Sequence, residues 1–106
     1  MTLIRNMEDL QLLWDAHEGA TFPSAVAGEE IEGEDLVSLD TFAAGCIDSF
    51  LLKRGSLDEG RIDTLAACFS GLTTVLPHLT GDAKNYYSRL HEMCRITLVS
   101  LGRQKQ

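Results

Sequence analysis

The sequence predicts an all-α protein, a compact up-and-down four-helix bundle with a long acidic loop between helices 1 and 2. Two observations predict it. Four stretches repeat apolar residues at steps of three and four, which gathers them on one face of a helix. Start and stop signals bound those stretches, and no strand signal of comparable strength competes with them.

The first helix is predicted over about residues 3–17. Leu3, Met7, Leu10, Trp14 and His17 share a face, and Leu12 points away from it. A connection of about 16 residues follows, punctuated by Gly19, Pro23, Gly28 and Gly33. Phe22 and Val26 are expected to tuck against the body. The second helix is predicted over about 35–54, with Leu36, Leu39, Ala43, Cys46, Ile47 and Phe50 as its stripe. Lys53 and Arg54 suit the negative end of its dipole, and Gly55 suits the position just past its end.

The third helix is predicted over about 57–76. Ser56 and Glu59 have capping-box spacing, Ile62, Leu65, Ala66, Phe69, Leu72 and Leu76 form the core face, and Pro77 ends it. The fourth is predicted over about 81–101. Ala83, Tyr86, Leu90, Met93, Cys94, Thr97 and Leu101 share its face. Tyr87 flanks that face, with its hydroxyl expected in water. Gly102 stops the helix, and 103–106 is a polar tail. All of 1–106 reads as a single helical domain, long enough to bury a core without disulfide or metal.

Composition narrows the function classes. The apolar fraction is 44%, too high for disorder over the whole chain. Acids interrupt the N-terminus where a signal peptide would be apolar, and no 18-residue run is continuously apolar, so the expected location is cytoplasmic. Cys46, Cys68 and Cys94 form no close pair and read as reduced core thiols. The net charge is −7 and is unevenly placed: eleven acids and one base in residues 1–50, five acids and eight bases in 51–106. No clustered basic face exists to neutralise phosphates, which argues against direct nucleic-acid binding.

The acids concentrate in "GEEIEGED", residues 28–35. Glu34 and Asp35 sit where a helix start favours anions. Glu29, Glu30 and Glu32 are not explained that way. Together Glu29, Glu30, Glu32, Glu34 and Asp35 are the candidate contacts for a basic partner. A second candidate surface is the far side of the third helix. Residues 64–81 contain no Asp, Glu, Lys or Arg, and Ala67, Ser70, Gly71 and Thr74 are small where a surface helix carries charge. They either lie under another element of the chain or line an interface. Ile96 and Val99 fall off the core face of the fourth helix and, with Leu12 and Leu52, add apolar material to a candidate interface.

Catalytic and metal signals are weak. No phosphate-binding glycine pattern, nucleophile elbow or HExxH is present. His91 and Cys94 are a spaced pair without further ligands, and the acidic loop lacks the ligand alternation of a calcium hand. No cofactor or metal is expected. The leading reading is a small acidic non-enzymatic protein-interaction module: an inhibitor, immunity-type or adaptor protein docking on a basic partner. A homodimer or other self-associating subunit is compatible with it. The alternative is a small-molecule site inside the bundle, built from Trp14, His17, Tyr86, His91 and Cys94.

Overall fold

The structure is a computed structural model describing residues 2–103, with side chains described from Met7 onward. The side chain of Leu3 and residues 104–106 of the predicted tail lie outside the described residues.

Four helices pack against one another: α1 (Thr2–Gly19), α2 (Leu36–Leu52), α3 (Glu59–Val75) and α4 (Gly81–Ser100). The fold is the all-α four-helix bundle that the apolar stripes predict. A single 3-10 turn, Leu76–His78, follows α3, where Pro77 cannot continue the helix. The connection between α1 and α2 holds more order than a bare loop. It contains a 3-10 turn, Ser24–Val26, and a two-stranded antiparallel hairpin, β1 (Glu30–Ile31) with β2 (Glu34–Asp35). Glu30 pairs with Asp35 and Ile31 with Glu34. The two turn residues, Glu32 and Gly33, have φ of 52° and 82°, as a tight primed hairpin turn requires. Val26 is buried, and Phe22 and Ile31 pack on the core, so the connection is tied down as its apolar residues predict.

α4 is the central helix and touches each of the other three. That position explains its wide buried arc. Tyr87 is fully buried, and its hydroxyl donates to the Leu36 carbonyl at 2.7 Å rather than reaching water. Ile96 is 5% exposed and Leu98 is buried; Val99 is half-buried. Ile96 is therefore not a free surface, because a helix covered on several sides has more than one core face, whereas Val99 keeps part of its exposure. Leu12 and Leu52 do remain exposed, at 69% and 75%.

The helix ends show local chemistry at work. Asp35 caps α2: its carboxylate accepts from the Ser38 amide at 3.2 Å and the Ser38 hydroxyl at 2.6 Å. Asp58, not Ser56, caps α3, accepting from the Arg61 amide at 2.8 Å and pairing with its guanidinium. The backbone and side-chain hydrogen bonds from Arg61 hold the Asp58 carboxyl below its usual range. At the end of α2, the Gly55 amide donates to the Phe50 carbonyl and the Arg54 amide to that of Leu51. This closing motif puts Arg54 at the first left-handed position, with φ of 56°, and Gly55 follows it with φ of 104°. The end of α4 repeats the motif with Gly102 in that place, and Arg103 donates back to Leu98.

Candidate functional site

Two concave regions stand out, and they share no lining residue. The first is a groove between α2 and α3. Two hollows, of about 320 Å³ and about 400 Å³, meet at Phe42 and Thr64. Small side chains wall it: Ser38, Gly45 and Ser49 from α2, Thr64 and Ala67 from α3. Glu34 and Asp35 stand at one end, and Arg61 at the other. Phe42 is 57% exposed here, a large aromatic ring at a groove rather than in the core.

Cys46 and Cys68 also line the groove but are themselves buried. Burial pushes the Cys68 thiol up to about 11 and raises Cys46, whose Sγ donates to the Arg61 carbonyl at 3.5 Å. Both stay protonated at neutral pH, which makes them poor nucleophiles and poor metal ligands.

The groove joins the two surfaces that the sequence singles out. Of the acidic set, Glu34 and Asp35 line it directly. Of the small-residue set, Ala67 lines it. Gly71 lies beside it, buried under Glu34 and Leu39: a β-carbon at this position would come within 2.7 Å of Glu34 Oε1 and 2.9 Å of Leu39 Cδ2. Ala67, Ser70 and Thr74 are exposed, so α3 is covered at Gly71 and open elsewhere on that face. The other acids divide. Glu32, at the hairpin tip, pairs with His78 Nε2 at 3.3 Å. Glu29 and Glu30 are exposed and make no ion pair among the described residues.

The second region is a polar network joining three helices. His17 on α1 is 7% exposed, and its Nε2 lies 3.2 Å from Asp40 Oδ1 on α2. The Tyr86 hydroxyl on α4 donates to Asp40 Oδ2 at 2.9 Å. Arg89 Nε, also on α4, donates to His17 Nδ1 at 3.5 Å, and its guanidinium lies 5.6 Å from the Tyr86 ring centroid. With Nδ1 accepting from Arg89, the ring proton is assigned to Nε2, facing Asp40. Burial first, and then the bond to Asp40, raise the Tyr86 phenol above its usual range, so it remains a donor at neutral pH. Tyr86 and Arg89 continue outward to line a cleft of about 400 Å³ beneath the segment 20–24.

The sequence nominates Trp14, His17 and Tyr86, with His91 and Cys94, as material for one site inside the bundle. The structure brings His17 and Tyr86 together, with ring centroids 4.5 Å apart, and places Trp14 6.3 Å from His17. Asp40 and Arg89, which connect them, are not nominated. Asp40 sits beside core residue Leu39 on the polar flank of α2, where a carboxylate looks like ordinary surface.

His91 and Cys94 do not join this network. Cys94 is fully buried, and burial raises its thiol far above the usual range. His91 stacks on Phe69, 4.5 Å between centroids, and its Nε2 lies 2.9 Å from Thr73 Oγ1. The Thr73 hydroxyl proton is committed to the Phe69 carbonyl, so it is His91 Nε2–H that donates. Among the described residues no cluster of metal-ligating side chains is present.

Burial is the main cause lowering the His91 imidazole below its ordinary value of about 6.5. A histidine lowered by folding takes a proton more readily in the unfolded chain. Its stabilising contribution is therefore complete above about pH 6.5 and falls as pH drops below that. Urea unfolding of wild type and His91→Gln across that range should show a shallower acid-side loss in the variant.

No helix among the described residues is long and apolar enough to cross a membrane. No protein-family model, curated protein or solved structure matches this chain.

Proposed function

We propose that the protein is a non-enzymatic docking module. The α2–α3 groove takes an amphipathic segment of a protein partner, and the acids at its hairpin end meet basic residues on that segment. The observation that carries this reading is Phe42, more than half exposed at a groove whose rim includes Glu34 and Asp35. Aromatic anchors in water-excluding grooves dominate binding energy, whereas rim charges chiefly set association rate and orientation. Small walls at Ser38, Gly45, Thr64 and Ala67 allow a partner helix to approach closely. An inhibitor, an immunity-type protein and an adaptor would each use such a surface, and a second copy of the chain is one partner it could take.

Asp35 already serves the fold as a helix cap, and Glu32 already faces His78 Nε2 at 3.3 Å. Charge steering is therefore assigned chiefly to Glu29 and Glu30. The test captures partners from a lysate of the source cell on immobilised protein, then measures the affinity of a stoichiometric partner against salt. The double variant Glu29→Lys/Glu30→Lys is expected to weaken binding about tenfold at low salt and to flatten its salt dependence. Equal low-salt affinity of the variant and wild type would remove the role given to the acids.

A further inference from the structure

The cleft beneath segment 20–24 is walled on one side by α4, which sets Asp82, Asn85, Tyr86 and Arg89 along a single face. Phe22 stands across from them, edge-on to Tyr86 at 5.5 Å. Its volume of about 400 Å³ lies in the ordinary range for a small-molecule site.

Arg89 is the unusual member. It is half-buried, yet among the described residues no carboxylate lies within 4 Å of its guanidinium. Its one side-chain acceptor is His17 Nδ1, met by Nε. The two terminal nitrogens, with four N–H donors, have no side-chain acceptor among the described residues. The Asp40–His17 contact and the Tyr86 ring hold the guanidinium plane in place. A planar fork held by a buried network and left without an anion matches a carboxylate, which it can bind through two parallel hydrogen bonds.

Asp82 defines the other end. It lies seven residues earlier on α4, about 10 Å along the axis, and makes no ion pair among the described residues. A uniformly anionic ligand would meet repulsion there. Asn85 lies between the two charges and offers both an amide donor and an acceptor. The cleft thus presents a cation, an amide and an anion in a row, against an aromatic wall.

We propose that this cleft binds a small elongated zwitterion, an ω-amino carboxylic acid or a dipeptide, with its carboxylate on the Arg89 fork and its ammonium toward Asp82. The proposal is independent of the docking groove, since the two regions share no lining residue.

The test is thermal melting of the full chain with δ-aminovalerate, glycylglycine, valerate, n-pentylamine and inorganic phosphate at equal concentration. At saturation at least one of the two zwitterions should raise the melting temperature by about 4 °C or more, because a ligand of the native state stabilises it. δ-Aminovalerate should exceed valerate, and the amine should give no shift. Arg89→Gln should abolish the zwitterion shift. Exposed Asp82→Asn should keep the valerate response and erase the advantage of δ-aminovalerate. If Arg89→Gln lowers the basal melting temperature, calorimetric titration below its transition supplies the same comparison. No shift with either zwitterion, an undiminished shift in Arg89→Gln, or a larger shift with phosphate than with δ-aminovalerate would overturn the proposal.

Discussion

Asp40→Ala is expected to destabilise the protein by about 3 kcal/mol, because it strands two buried donors at once. His17 Nε2 and the Tyr86 hydroxyl both use this carboxylate, and their residues are only 7% and 8% exposed. A buried donor left without an acceptor costs roughly 1–3 kcal/mol. The Asp40 side chain keeps 20% of its exposure, so water recovers part of that loss. Asp40→Asn keeps one acceptor oxygen and should cost about half as much as the alanine variant. Tyr86→Phe removes one hydroxyl with its single bond and should cost about 1 kcal/mol. Urea unfolding of the three variants, and of the Asp40→Ala/Tyr86→Phe double variant, measures the coupling directly. A loss below about 1 kcal/mol in Asp40→Ala would mean the network does not hold α1, α2 and α4 together.

The second large effect concerns binding rather than folding. Phe42→Asp should weaken partner affinity about thirtyfold or more, the loss expected when a central aromatic anchor worth about 2 kcal/mol is removed. The fold should tolerate the change, because surface replacements away from caps and core usually stay within about 0.5 kcal/mol. Phe42 is 57% exposed, and its ring has no hydrogen-bonding group for the fold to use. Phe42→Leu, which keeps apolar bulk, should lose less than Phe42→Asp. Calorimetric titration of both variants, with circular dichroism as the folding control, separates an anchor from a bystander. Wild-type affinity in Phe42→Asp would place the partner elsewhere on the molecule.

The helices are legible in the sequence because each carries a continuous apolar stripe and most have a chemical stop. Gly102 ends α4 as its position predicts, and the buried residues of α2 are the six of its predicted stripe. Boundaries shift by a few residues where several capping groups compete. Ser56 and Asp58 both suit a helix start, and Asp58 takes the role by accepting the Arg61 amide. The hairpin is nearly invisible because each strand has two residues, too few for alternation to register. Its only signal is Gly33 after Glu32 at the centre of a two-residue turn.

The candidate sites are less legible because they depend on how helices are rotated against one another. His17 and Asp40 are 23 residues apart, Asp40 and Tyr86 46, and His17 and Arg89 72. No local spacing rule reaches that far. A stripe marks one buried face per helix, so the second buried face of α4, with Tyr87 and Ile96, looks like surplus. Phe42 offers a readable clue of the opposite kind. It is a large aromatic residue that falls outside the α2 stripe, so either a second face of α2 is covered or the ring is exposed.

The groove is the central claim, and amide hydrogen exchange with and without the captured partner tests it most directly. Binding there should slow exchange in residues 34–46 and 61–71, the two walls that meet at Phe42, and leave the cleft side of α4 over 82–89 unchanged. Protection confined to 82–89, or absent from both walls under saturating partner, would contradict the assignment of the α2–α3 groove as the docking surface.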